Sequence, residues 1–129
     1  MFVNVEMMRM ARALGQHAAD RHNLVARNLA NADTPDFKAK DLASFEDSYR
    51  HDDGAAMRVT NARHIQTPDW SPATTRVVTD AGGASPNGNS VSIETEMLKA
   101  AELKRSHDLS LGVYRSAMNL MRTSIGRRG

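Results

Sequence analysis

His17, Asp20 and His22 bring two imidazoles and a carboxylate within six positions, the side chains that commonly hold zinc and related ions. Two histidines on a helix share an ion when they stand four apart on one face, and these stand five apart on different faces. They read as a solvated polar face instead. His107 falls among apolar residues, as a buried or interface histidine does. Because histidine as a residue type changes charge near neutrality, that placement would tie assembly to pH. The adjacent carboxylates Asp52 and Asp53 lie in a polar stretch with no apolar walls to shift their protonation. Gly82-Gly83 lacks the Lys and Ser/Thr that complete a phosphate loop, and no nucleophile stands beside a base. With no cysteine, thiolate metal sites, redox centres and disulfides are excluded. The chain is expected to be no enzyme and to need no cofactor or metal.

The run with the most specific chemistry extends from Ala26 to Lys40, ARNLANADTPDFKAK. Asn28 and Asn31 place side-chain amides near a helix end, where they can bind unpaired carbonyls or bridge to a partner. Thr34 precedes a proline and is pushed out of the helical region, so the helix is expected to stop near Asp33. Pro35 then turns the chain, and Phe37 anchors the segment after the turn. By spacing alone this reads as an ordinary helix C-terminus with polar capping.

Long elements must position that run. All four prolines (Pro35, Pro68, Pro72, Pro86) are central, and a proline inside a helix costs about 3 kcal/mol. Both ends are therefore free to be long helices. In the first, Met7, Ala11, Leu14, Ala18, Val25 and Ala32 follow alternating spacings of four and three, with Arg21 and Asn28 completing the seam. In the second, Ile93, Met97, Ala100, Lys104, His107, Leu111, Tyr114, Met118, Met121 and Ile125 keep the same alternation without a slip. Leu103, Val113, Ala117 and Leu120 add a flanking apolar strip. Ser92 is placed to cap this helix, with Glu94 and Glu96 in its first turn. Residues 1–34 and 91–126 are thus expected to pair as one mainly α, coiled-coil-like core domain, with 35–90 an extended, partly disordered connection. Arg76-Val77-Val78-Thr79 is its candidate short strand, and the Gly/Ser/Asn-rich stretch 81–90 a flexible turn.

Composition points the same way. Eight Met stand against three Phe, two Tyr and one Trp, which suits helix seams better than a globular core. A net charge of +2, with basic residues spread and clustered only at Arg127 and Arg128, gives no nucleic-acid stripe. The N-terminal stretch has no basic and apolar regions of a cleavable secretory signal, and charges interrupt every apolar run before a membrane span.

The Asn-rich run resembles the N-terminal signature of bacterial flagellar rod, hook and filament-junction proteins, A-x-N-x-A-N-x-x-T-P-G-Y/F. Within that family the chain looks most like its short proximal-rod members. Supporting stretches are Thr60-Asn61-Ala62-Arg63-His64-Ile65, the run from Gly88 to Met97, and Tyr114-Arg115-Ser116-Ala117-Met118-Asn119-Leu120-Met121. Asp36 stands where the family usually has glycine, and aspartate is among the few residues that tolerate positive φ. The resemblance implies a torque-transmitting subunit that assembles helically around an export channel. Its partners would be other rod subunits, basal-body ring or adaptor proteins and the flagellar type III export apparatus, which would carry it unfolded to the periplasm. It also implies that Asn28, Asn31, Thr34, Pro35 and Phe37 form the family turn. Leu14, Val25, Met97, Leu111, Tyr114, Met118 and Met121 are the expected packing and subunit-interface positions. A soluble helical adaptor or secretion-system component, and a small basic nucleic-acid binder, are the competing classes.

Overall fold

The computed structural model describes residues 2–51, 61, 76–79, 83 and 85–126. The first proline-free segment forms helix α1, Phe2–Ala30, 29 residues and about 44 Å long. The last forms α3, Ile93–Gly126, 34 residues and about 51 Å long. Between them lie strand β1 (Lys40–Leu42), helix α2 (Phe45–His51) and strand β2 (Val77–Thr79). The fold is mainly α, as the proline partition requires.

The two long helices run antiparallel. Asn28 near the end of α1 meets Glu96 at the start of α3, and Gly15 lies against Ser110 deeper along both. On α1 the structure buries Ala11, Ala18 and Val25, seven apart, together with Asn28. Met7, Leu14, Arg21 and Ala32 are half-buried beside them. Small side chains here bring the backbones close: a Cβ added to Gly15 would stand 3.2 Å from Ser110 Oγ.

On α3 the seam is not the one with the largest apolar residues. Glu96, Leu103, Ser110 and Ala117, again seven apart, are the buried positions, and Ala100 packs on the cluster of Ala18, Val25 and Leu103. The expected seam is rotated outward: Ile93, Met97, Lys104, His107, Leu111, Tyr114 and Ile125 are exposed, while Met118 and Met121 are half-buried. The strip expected to flank it supplies Leu103 and Ala117 to the true seam. The reason is steric and electrostatic. Close approach to Ala11, Gly15 and Ala18 admits serine and alanine but not a row of methionines, and Glu96 is buried because Asn28 bonds to it.

Helix α1 ends at Ala30, three residues before the expected stop. From there the chain turns through residues 31–36, with Asn31 N–H donating to Arg27 O and Asn28 O and Thr34 N–H to Asn31 O. Asp36 adopts φ 60°, the left-handed conformation that its tolerance for positive φ allows. Strand β1 pairs antiparallel with β2, with Lys40 opposite Thr79, Asp41 opposite Val78 and Leu42 opposite Val77. The β2 strand matches the expected one, whereas β1 and α2 have no counterpart in the sequence pattern. Helix α2 starts from a side-chain cap in which Asp47 N–H donates to Ser44 Oγ at 3.2 Å and Ser44 Oγ to Asp47 Oδ2 at 2.7 Å. Among the described residues no helix is long and apolar enough to cross a membrane.

Candidate assembly surface and its polar clasp

The signature residues meet at the closed end of the hairpin. Asn28, fully buried, uses its amide as a strand residue uses its backbone. Its Nδ2 donates to Lys40 O at 2.8 Å, and Lys40 N–H donates back to Oδ1 at 3.0 Å. The same Nδ2 donates to Glu96 Oε2 at 3.1 Å. One side chain thus ties α1 to β1 and to α3. Glu96 is further bound by Lys99 Nζ at 3.0 Å, and Lys99 reaches Asp41 Oδ2 at 3.4 Å. Arg21 closes the ring with two bonds to Asp41, Nε to Oδ1 at 2.6 Å and Nη2 to Oδ2 at 2.9 Å. Two cations and two carboxylates are therefore paired in a partly dry site, where leaving one alone would be costly.

Protonation follows from this geometry. Burial works to raise the Asp41 pKa, but the hydrogen bonds from Arg21 and the Leu42 amide, with the charges of Arg21 and Lys99, outweigh it. The carboxyl is held below its ordinary value. Reciprocally, the hydrogen bond to Asp41 lifts the Arg21 guanidinium above its own, against burial. The pairing therefore favours the charged form of each group.

A second clasp covers the end of α1. Asn89 is buried, and its Nδ2 lies 2.9 Å from Asn31 O, 2.7 Å from Ala32 O and 2.9 Å from Thr34 O. Its Oδ1 accepts from Val91 N–H at 2.7 Å. The carbonyls of the turn that follows α1 are thereby tied to the segment entering α3. Ser90 N–H donates to Phe37 O and Ala39 N–H to Ser90 Oγ. Residues 85–90, expected as a flexible turn, are instead an ordered strap. The signal was the Asn87-Gly88-Asn89 pattern. Gly88 has φ 78°, and a Cβ there would collide with the Asp36 side chain. The glycine sits across from the position that lacks one.

The other signature residues have local roles. Asn31 Nδ2 donates to Arg27 O at 2.8 Å, and Thr34 Oγ1 to Asn31 Oδ1 at 3.2 Å. Thr34 and Pro35 are exposed at the turn, and Phe37 is half-buried. His17 departs from the solvated face expected of it. It is half-buried, lies 2.9 Å from Ala43 O and sets its ring edge-on to Phe45, 5.7 Å between centroids. It docks α2 rather than a metal, and among the described residues no group of three metal-ligating side chains forms. Asp52-Asp53, Gly82, Arg127-Arg128, and Thr60 with Ala62–Ile65 lie outside the described residues.

Of the expected interface residues, Val25 is in the hairpin core and Leu14 beside it, while Met97, Leu111 and Tyr114 face out. Outward apolar residues on α3 form two strips. Ile93, Met97, Leu111 and Ile125 run along one flank, and Leu98, Leu109 and Leu120, eleven apart, along the other. Leu111 and Tyr114 wall a groove between the helices, with His107 at its edge. The hairpin places small residues at the helix crossing and leaves many of its large apolar ones exposed.

No protein-family model matches the chain. It is 30% identical over 127 residues to the flagellar basal body rod protein FlgB of Agrobacterium fabrum, covering 95% of each chain. It is also 29% identical over 118 residues to FlgB of Cereibacter sphaeroides, covering 87% of this chain and 92% of that one. FlgB of Aquifex aeolicus is 28% identical over 109 residues, 84% and 83% of the two chains. Near-complete coverage at this identity agrees with the Asn28 and Asn89 clasps built from the signature runs, and the chain belongs to the FlgB family of flagellar basal body rod proteins.

Proposed function

We propose that the chain is a structural, non-catalytic subunit of the bacterial flagellar basal-body rod, in its proximal part on the periplasmic side. Hairpins of α1 and α3 stack helically around an export channel, and torque passes through their packed flanks. The subunit reaches its place through the flagellar type III export apparatus. Its neighbours are other rod subunits and basal-body ring or adaptor proteins. The observation that supports the reading is the pair of outward apolar strips on α3, on a chain whose relatives are named as rod proteins. Stripes of this kind need cover from other chains.

The test is Leu111→Asp. Leu111 is exposed in the hairpin, so the change leaves the fold and expression intact while placing a charge in an interface. We expect loss of the chain from purified basal bodies and loss of motility. A motile strain carrying Leu111→Asp would overturn the assignment of this strip to subunit contact.

A further inference from the structure

We propose that Asn87 is a site of spontaneous covalent self-modification, deamidation to aspartate and isoaspartate, which the strap of residues 85–90 holds in check while it is closed. The chain has eight asparagines, and Asn87 is the one followed by glycine. The reaction needs the backbone nitrogen of the next residue to reach the asparagine side-chain carbon, and glycine alone brings no Cβ to hinder that approach. Val, Leu, Ala or Ser follows each of the other seven. Asn87 is also exposed, so water and solvent base reach it.

The step balances with water as the only co-reactant. Gly88 N gives its proton to solvent base and bonds to Asn87 Cγ. The Cγ–Nδ2 bond breaks, and Nδ2 leaves as ammonia after taking a proton from water. The cyclic imide then adds water at either carbonyl. One opening leaves aspartate. The other carries the main chain through Cβ and Cγ as isoaspartate, one methylene longer.

In the closed strap the nucleophile is occupied. Ser85-Pro86-Asn87-Gly88 places proline second and glycine fourth in a turn, and Gly88 N–H donates to Ser85 O at 2.8 Å. Asn89 N–H donates to Asn87 Oδ1 at 3.1 Å, and Lys38 Nζ to Gly88 O at 2.7 Å. Gly88 N must lose its proton to react, so the bond to Ser85 O has to open first. Drawing Cγ into the ring also takes Oδ1 from Asn89 N–H. Asn89 is the internal contrast. It precedes the small residue Ser90, yet it is buried with Nδ2 against three carbonyls and Oδ1 on Val91 N–H. Sequence makes Asn87 the reactive site, and opening of the strap decides when it reacts.

Isoaspartate is the product with consequences. Gly88 at φ 78° is already packed against the Asp36 side chain, so an added methylene displaces the end of the turn and with it Asn89. The new carboxylate stands near Asp36 but also near Lys38, so backbone length outweighs charge. A chain left open is thereby marked, irreversibly, as one that closes poorly.

The test is peptide mapping by mass spectrometry of the purified chain, aged in mildly alkaline buffer with and without urea, reading the amide-to-acid mass change at each asparagine. In urea Asn87 is expected to convert first. Without urea its conversion should be at least about tenfold slower, and Asn89 should stay unchanged. Asn89→Ala should speed conversion of Asn87 in the folded chain about tenfold. If that variant does not fold, Lys38→Ala, which removes one exposed bond, should speed it about two- to fivefold. Refolded chain carrying isoaspartate should show a lower urea midpoint than freshly made Asn87→Asp, which has the charge without the methylene. No conversion at Asn87 in urea, or equal rates with and without urea, would overturn the proposal. So would a rate unchanged in the folded variant, or a midpoint equal to that of Asn87→Asp.

Discussion

Asn28→Ala removes three hydrogen bonds at once and leaves three groups without a partner: Lys40 N–H, Lys40 C=O and Glu96 Oε2. A buried orphan of this kind costs about 1–3 kcal/mol, so the gross loss is ~3–9 kcal/mol. Lys40 is exposed at the surface, and water entering the vacated volume recovers part of its two bonds. The expected net is ~3–5 kcal/mol, a large share of the ~5–15 kcal/mol that holds a domain. Asn31→Ala is the internal comparison. It deletes two exposed bonds, one to Arg27 O and one from Thr34 Oγ1, together worth about 1 kcal/mol. Urea melts of the purified chain, followed by far-ultraviolet circular dichroism, separate the two. With a slope of ~1–2 kcal/mol per M, Asn28→Ala should lower the midpoint by about 2 M or more and Asn31→Ala by about 1 M or less. Equal shifts for the two variants would refute the view that Asn28 is the junction of the fold and Asn31 a local cap.

The Asp41 carboxyl is held below its ordinary pKa in the folded chain, so the unfolded state takes up protons first as pH falls. Its stabilising contribution is full above the unfolded pKa and is lost as pH drops through the folded value. Acid melts should therefore show wild-type stability declining below about pH 4 more steeply than Asp41→Asn, which is weaker throughout; parallel curves would contradict this. Gly15→Ala should be tolerated only if Ser110 gives way, because the added Cβ stands 3.2 Å from its Oγ. Ser110→Ala should then restore the midpoint, and additive effects in the double variant would dismiss the close crossing. Replacing Asn28 and Glu96 together by leucine should preserve helix content but lose a single register, seen as multiplied amide peaks by nuclear magnetic resonance. One sharp set of peaks would show that the apolar seam alone fixes the alignment.

The seam of α1 is legible in the sequence because its period and its burial coincide: Ala11, Ala18, Val25 and Asn28 stand where the heptad puts them. The α3 seam lies roughly one position away from the expected one, because hydrophobicity favours Met97, Leu111 and Tyr114, whereas close approach favours Ser110 and Ala117. Sequence period gives the existence of a stripe, but the partner's side-chain volume decides which stripe is buried. Residues 85–90 read as flexible for a related reason. Gly, Ser and Asn favour turns locally, yet Asn89 is fixed by carbonyls 55 to 58 positions away. No local pattern contains that information. Strand β1 is hidden similarly, since KDL has no alternation and is held by Asn28 and by β2.

The polar clasp answers a problem that the seam creates. Ala11, Ala18 and Val25 face Leu103, Ser110 and Ala117 at a seven-residue repeat on both helices, so sliding one helix by a heptad still pairs small residues with small residues. Such a seam is weakly selective for register. Asn28 and Glu96 break the degeneracy, because a heptad slip that sets Asn28 against Leu103 carries Glu96 beyond the end of α1 and breaks the bond between them. The amide then bears the cost of an unpaired buried polar group, about 1–3 kcal/mol. Replacing the pair by apolar side chains would add burial area and remove the distinction between registers. On the proposed rod reading, in which the outward strips meet a neighbour in one phase, a shift of about 10 Å along the axis would misplace every contact. A buried carboxylate bonded to an amide is thus better suited to this hairpin than a stronger hydrophobic contact would be.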